Sequence, residues 1–221
     1  MQERYSPVIP LSLEQDIDNH GRILNFTKGD MLFSIDELLK KFFVVLNGRI
    51  KVSQISLESG KEQTFQILAQ GSMYDVVTLL DGKEHESILT ALDSVQIMVL
   101  PIDIVRLWMN NNSNFNKLLF PYIAKQIRDM EELITDLSFY STSERLLKLI
   151  IKNIDPNNPN RLRLIHDLPH EEIASLIGTV RKVVNRHIQE LKKDGVIDVE
   201  RKNIRLKDNY KLLGELDRFD L

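Results

Sequence analysis

The sequence predicts an α+β chain: an N-terminal antiparallel β-barrel or jelly roll, one long helix, and a C-terminal helix pair followed by a two-stranded wing. Three observations carry this. Between residues 22 and 100, apolar runs of five to eight residues alternate with Gly, Asp and Asn about every ten residues. From Ser113 the apolar spacing changes to three and four. Finally, EEIASLIGTVRKVVNRHIQELKKDGVI, from Glu171 to Ile197, is amphipathic on both sides of Gly178.

The strands come first. KKFFVVLNGRIKVSQIS (40–56) holds two of them around an Asn47-Gly48 turn, and KEQTFQILAQG (61–71) and SVQIMVLP (94–101) supply others. No Gly-rich loop opens a helix, which disfavours a P-loop or dinucleotide fold. In SNFNKLLFPYIAKQIRDMEELITDL, the residues Leu119, Tyr122, Ile123, Ile127, Met130, Ile134 and Leu137 form a seam. That spacing predicts a helix of about 20 residues, roughly 30 Å long, for which a partner helix is the natural complement. Pro121 lies near its start and is expected to confine the helix mainly to the downstream side. SERLLKLIIKNI (143–154) predicts another helix capped by Ser143, DPNNPN (155–160) a surface turn, and RLRLIHDL (161–168) a strand. GVIDVERKNIRLK (195–207) reads as the wing, with Arg201 and Lys202 at its tip. The resulting division is a sensing domain over 1–112, a dimerisation helix and hinge over 113–140, and a C-terminal domain over 141–221.

Composition narrows the classes. The 221 residues contain no cysteine, which excludes disulfides, thiolate-bound zinc, iron–sulfur clusters and a cysteine nucleophile. No apolar run has the length of a membrane span, and MQERYSPVIP lacks a signal-peptide pattern, so a cytoplasmic location is expected. The net charge of −3 is unevenly placed. Residues 1–140 carry 13 Lys/Arg against 19 Asp/Glu, whereas residues 141–221 carry 16 against 13. Within 175–207 there are nine basic and four acidic residues, a local footprint for phosphates.

The helix pair gives that footprint its chemistry. Ile173, Leu176 and Ile177 share one face of a short helix; Gly178 suits a turn needing positive φ; Val184, Ile188 and Leu191 form the buried stripe of a second helix. The opposite face of the second helix carries Arg181, Lys182, Asn185, Arg186 and Gln189, whose donors and acceptors match base edges in the major groove. With the wing, this is a winged helix-turn-helix, and double-stranded DNA is the expected partner. The bland alternative is a solvated helical hairpin.

This order of domains resembles the Crp/Fnr family of bacterial transcription regulators over nearly the whole chain. FFVVLNGRIKV is similar to that family's second and third barrel strands, LSFYSTSERLLKLI to its hinge and first DNA-domain helix, and LPHEEIASLIGTVRKVVNRHIQELKKDGVI to its helix-turn-helix. The resemblance implies a homodimer on an inverted repeat, contact with RNA polymerase if it is an activator, and no enzymatic activity. It also implies base reading by Arg181, Lys182, Asn185 and Arg186. Lys182 stands where the family usually has Glu, and a lysine has only donors. The half-site should therefore differ from the family's TGTGA or TTGAT types. Arg186 suits guanine, Asn185 adenine, and Val183 a thymine methyl. Thr179 is expected to cap the recognition helix or touch a phosphate, while Gln189, Arg201 and Lys202 complete the DNA-facing set; Lys192 and Lys193 suit phosphates.

The resemblance also locates an effector pocket at SMYDVVTLLDGKEHESIL (72–89), among Met73, Tyr74, Asp75 and His85. Cyclic-nucleotide-binding members carry Gly-Glu and then Arg-Ser there. In this chain Tyr74 and Asp75 replace the first pair and His85 falls where the arginine is expected, so a cyclic phosphate lacks its cation. Cyclic AMP is disfavoured. The family's haem-binding branch, which senses nitric oxide or carbon monoxide, stays open with His85, Met73 or Tyr74 as axial ligand and His20 further off, as does control by a small metabolite or by no effector. A cupin-type metalloenzyme would need several His on neighbouring strands, and a ligand-binding adaptor would not need the basic face.

Overall fold

The computed structural model describes residues 13–200, 203–208 and 211–212. They fall into two compact units: the described residues up to 54 with 65–130, and residues 55–64 with the described residues from 131 onward.

The first unit is organised by strands with apolar side chains on both faces. After α1 (Glu14–His20) come β1 (Arg22–Phe26), the short α2 (Ile35–Leu38), β2 (Lys41–Asn47), β3 (Ile50–Ile55) and β4 (Glu62–Leu68). Then follow β5 (Met73–Tyr74), α3 (Val76–Asp81), β6 (Ile88–Ala91), β7 (Val95–Pro101) and α4 (Ile102–Asn111). The strands make two antiparallel sheets, ordered β1-β7-β2-β5 and β4-β3-β6. The arrangement is a jelly-roll-like pair of sheets, not a closed barrel.

Strand alternation explains the FFVV run. Successive side chains point to opposite faces, so Phe43 and Val45 join Ile50, Val52, Leu68, Leu89 and Ile97 in a core between the two sheets. Phe42 and Val44, with Met98 and Leu100 of β7, face a second core shared with Ile17, Val105, Trp108, Phe115 and Leu119. β2 and β7 pair antiparallel through Phe43↔Val99 and Val45↔Ile97, which sets both faces at once. Gly48, in the β2–β3 turn, has φ +86°.

Helix α5 (Ser113–Phe139) has 27 residues. It begins eight residues before Pro121, upstream of the limit the sequence suggested. An interior proline costs about 3 kcal/mol. Here the upstream turns are held by fully buried Phe115 and Leu119, and Phe115 meets Trp108 edge-on at 5.5 Å.

The second unit holds α6 (Thr142–Lys152), β8 (Ile154–Asp155), β9 (Asn158–Leu162), α7 (His170–Leu176), α8 (Arg181–Lys193), β10 (Ile197–Glu200) and β11 (Asn203–Leu206). The cap of α6 is Ser141, not Ser143. Ser141 and Glu144 satisfy each other's backbone N–H in a capping box, which Ser143 is not spaced to do. The turn expected over 155–160 is present but shorter, over 156–157 at the tip of a β8–β9 hairpin, with Asp155 accepting from the Asn157 N–H at 2.9 Å. The strand expected over 161–168 stops at Leu162; beyond it, Arg163 N–H is turned back to the Asn153 carbonyl at 2.7 Å. The wing is present as β10 and β11, in a four-stranded sheet ordered β10-β11-β9-β8. Its expected tip, Arg201 and Lys202, lies outside the described residues. Among the described residues no helix is long and apolar enough to cross a membrane.

Replacing Gly48 by alanine should destabilise the fold. A left-handed backbone costs a side-chain-bearing residue about 1–2 kcal/mol, and the new Cβ would lie 2.4 Å from the Ser94 carbonyl oxygen. The expected loss is at least about 2 kcal/mol, read as a lower midpoint in urea unfolding.

Candidate functional site

Two groups of side chains carry chemistry, one in each unit. In the second unit, Gly178 takes φ +66° and lets α7 turn into α8. Ile173 and Ile177 are buried as expected, as are Val184, Ile188 and Leu191; Leu176 is only half-buried. α8 packs on α7, α6 and β10, and this leaves its other face outward. Arg181, Lys182, Arg186 and Gln189 are exposed there, with Asn185 and Val183 half-buried at its margin. Lys192 and Lys193 are exposed in the last turn, where they also suit the negative end of the helix dipole.

Thr179 is not the cap of α8. The capping position is Val180, in extended conformation and without a side-chain hydrogen bond, while Thr179 N–H donates to the Ala174 carbonyl at 2.9 Å. The Val183 N–H donates to the Val180 carbonyl at 2.9 Å, and no side chain of the capping residue serves the turn before it, where an outside acceptor suits the N–H groups of Arg181 and Lys182.

The outward side chains are held by neighbours that the sequence reading did not single out. Glu171 pairs with Arg181 at 2.8 Å, with both side chains largely exposed, a contact of small energy that an outside anion can replace. His170 donates from Nδ1 to Oδ1 of Asn185. His187 is buried between α6 and α8: Nε2 is 3.0 Å from Thr142 Oγ1, and Nδ1 is 3.0 Å from Glu190 Oε2. His187 lies next to the stripe residue Ile188, so apolar periodicity had no means of flagging it. His170 and Glu171 are visible in the sequence, but their partners lie 15 and 10 residues away across a turn.

The first unit holds the cassette between β5 and β6. Asp75, 1% exposed, caps α3: its Oδ1 accepts from the N–H groups of Val77 and Thr78 at 3.0 and 3.3 Å. Its Oδ2 accepts from Thr78 Oγ1 at 2.8 Å, and His85 Nδ1 lies 3.1 Å from the same oxygen. The ring of Tyr74 stacks on His85 with 6.0 Å between centroids and 13° between planes. Burial alone would raise the Asp75 carboxyl, but hydrogen bonds from His85 and Thr78 outweigh it and hold the group below its usual range. The hydrogen bond to Asp75 raises His85, against the opposing effect of burial. Burial, then the Asp75 charge, pushes the Tyr74 phenol upward.

Met73 leaves the expected pocket set. It adjoins Tyr74 on a strand, so it points to the other face and lies in the core with Phe42 and Met98, while Tyr74 lies with Phe43. This bears on haem. Met73 and His85 cannot face one iron from opposite sides, and Tyr74 and His85 lie against each other with no gap for a macrocycle. His20 is exposed at the end of α1. These residues do not fit a haem held by two of them. Arg106, a cation near the cassette, donates to the carbonyls of Thr78 and Leu79 at 2.9 and 3.2 Å and so serves the C-terminal end of α3.

The long-helix seam divides. Leu119 is fully buried, and Tyr122 and Ile123 pack on the first unit's core, with the Tyr122 hydroxyl donating to the Met73 carbonyl at 2.8 Å. Those three belong to the chain's own interior. Ile127, Met130 and Ile134 remain 56%, 44% and 59% exposed, and Leu137 is partly exposed.

Comparison with known proteins adds to this geometry. A family described as the cyclic nucleotide-binding domain matches residues 23–112, and the Crp-like helix-turn-helix domain matches residues 144–214. The CRP-like cAMP-activated global transcriptional regulator of Mycobacterium tuberculosis is 23% identical over 192 residues, covering 86% of this chain and 85% of that protein. The global nitrogen regulator of Synechococcus elongatus is 23% identical over 208 residues, covering 92% and 89%. Among solved structures, a CooA mutant from Carboxydothermus hydrogenoformans shares the fold, with a TM-score of 0.76 at 21% identity over 97% of this chain and 98% of that one.

The Asp75–His85 pair predicts a pH dependence of stability. The folded pKa of His85 lies above its ordinary 6.5, so its contribution is complete below that value and is lost as pH rises through the folded one. The folded pKa of Asp75 lies below its ordinary 3.8, so its contribution is present above that value and is lost as pH falls through the folded one. The pair is fully formed between these limits. Raising pH from about 6 to about 8.5 should lower Tm more in the wild type than in His85→Ala. Calorimetry of both proteins across that range checks this, and parallel curves would refute it.

Proposed function

Since this chain belongs to the Crp/Fnr family of transcription regulators, we propose that it acts as a cytoplasmic homodimer reading an inverted-repeat promoter site through α8, without cyclic AMP. Regulators of this family are DNA-binding proteins and not enzymes. The observation that carries the reading is the outward face of α8, where Arg181, Lys182 and Arg186 stand exposed around half-buried Asn185. Arg186 suits a guanine, Lys182 an acceptor or a phosphate, and the uncapped first turn a backbone phosphate. If the protein activates transcription, it also contacts RNA polymerase.

A twofold dimer sets two α8 helices about one DNA turn, roughly 34 Å, apart. Exposed Ile127, Met130 and Ile134 supply an apolar stripe for the partner's α5. Independence from cyclic AMP is supported by the cassette. A cyclic phosphate needs donors and a cation, but the Val77 and Thr78 N–H groups and His85 are all engaged by the chain's own Asp75 carboxylate. Calorimetric titration with cyclic AMP should therefore show no saturable binding.

Charge reversal of Lys182 and Arg186 together should weaken binding to the selected site by at least about a hundredfold while the dimer persists. Gel-shift titration and sedimentation measure the two, and undiminished sequence-specific binding would refute the assignment. Ile127→Glu with Ile134→Glu should convert the dimer to monomer and cost DNA affinity; a persisting dimer in sedimentation would remove α5 as the interface.

A further inference from the structure

The reading of α8 as the DNA-facing helix leaves open how each of its side chains is aimed. Asn185 differs from its neighbours there. Among the described residues, Arg181 and Arg186 make exposed ion pairs, with Glu171 at 2.8 Å and Glu190 at 3.8 Å, that solvent weakens. Asn185 is half-buried, and its amide meets the ring of His170, the first residue of α7. The two helices pack on one another, with Ile173, Ile177, Val184 and Ile188 buried, and this packing holds the two residues in place.

An asparagine amide has one acceptor end and one donor end, and which end faces a base decides what it reads. A free amide can turn to place both ends against adenine, with Oδ1 accepting from N6 and Nδ2 donating to N7. In this structure His170 Nδ1–H donates to Oδ1. That bond turns the acceptor end toward α7 and leaves Nδ2 as the group offered outward. An amide oxygen can only accept, so this contact has the hydrogen on Nδ1. A donor end alone matches guanine, which presents the O6 and N7 acceptors side by side in the major groove.

We propose that His170 is a specificity-determining positioning residue: by holding Oδ1 of Asn185 it makes Asn185 prefer guanine over adenine at one base pair of each half-site. His170 acts through Asn185 and needs no contact with a base. The proposal rests on the DNA-reading role of α8 and replaces adenine, the base that Asn185 matches when its amide is free.

The test is selection from a randomised duplex pool by the full-length wild type, Asn185→Ala, His170→Ala and His170→Asn, at one fixed salt concentration. Wild type should recover an inverted repeat with guanine at one position per half-site. Asn185→Ala should lose preference at that position alone. His170→Ala should shift the guanine-to-adenine ratio at the same position by about tenfold toward adenine, and leave the preferences at the other positions unchanged. His170→Asn should keep the wild-type ratio, because its amide nitrogen can stand where Nδ1 stood. Circular dichroism shows that each variant is folded. An unchanged ratio in His170→Ala, a wild-type preference for adenine, or a shift at positions that Asn185→Ala does not affect would overturn the proposal. If wild type recovers no sequence at all, the DNA-reading role of α8 fails and this proposal falls with it.

Discussion

Strands β2 and β7 lie between two apolar clusters, and the side chains from Phe42 to Val45 and from Ile97 to Leu100 alternate between them. Phe43, Val45, Ile97 and Val99 face the second sheet, while Phe42, Val44, Met98 and Leu100 face the helices. A slip of one residue would exchange the two sets, so this pairing fixes the rest of the first unit. It fixes the short strand β5, which pairs through Phe43↔Tyr74 and Val44↔Met73 and thereby places Tyr74 in the core between the sheets and Met73 in the core beneath the helices. It also provides the surface on which Leu119, Tyr122 and Ile123 of α5 are buried.

The cassette that follows β5 shows how a site can be satisfied from within. A helix N-terminus and a nearby cation are what an anionic ligand requires. In this chain the anion is covalently present as Asp75, and the cationic partner is His85, whose charge depends on pH. The resulting network of Asp75, Thr78, His85 and Tyr74 is mostly buried, and so its hydrogen bonds are worth more than at a surface.

In the second unit the same economy of partners appears with the opposite consequence. Val184, Ile188 and Leu191 anchor α8, and the groups on its other face are only loosely held, by Glu171 and Glu190, or aimed, by His170. Exposed ion pairs keep these charges arranged at little cost, and phosphates or bases can take them over.

Much of this was legible in the sequence. Alternating runs gave the strands, the change to a three-and-four spacing gave α5, and Gly178 between two amphipathic stretches gave the helix pair; each of these signals is local. The outward face of α8 was readable for the same reason, since one helical period fixes both its faces. Several features required the tertiary structure. Pro121 lies inside α5 because Phe115 and Leu119 are buried upstream of it. Part of the seam on α5 is interior because the first unit's core reaches Ile123. Met73 and Tyr74 part company because β5 pairs with β2. His170 meets Asn185 because α7 and α8 pack together. What the sequence determined by itself was periodicity, turns and charge, which depend on neighbours along the chain; which side chains touch across elements was decided only by packing, where residues far apart in sequence compete for the same partners.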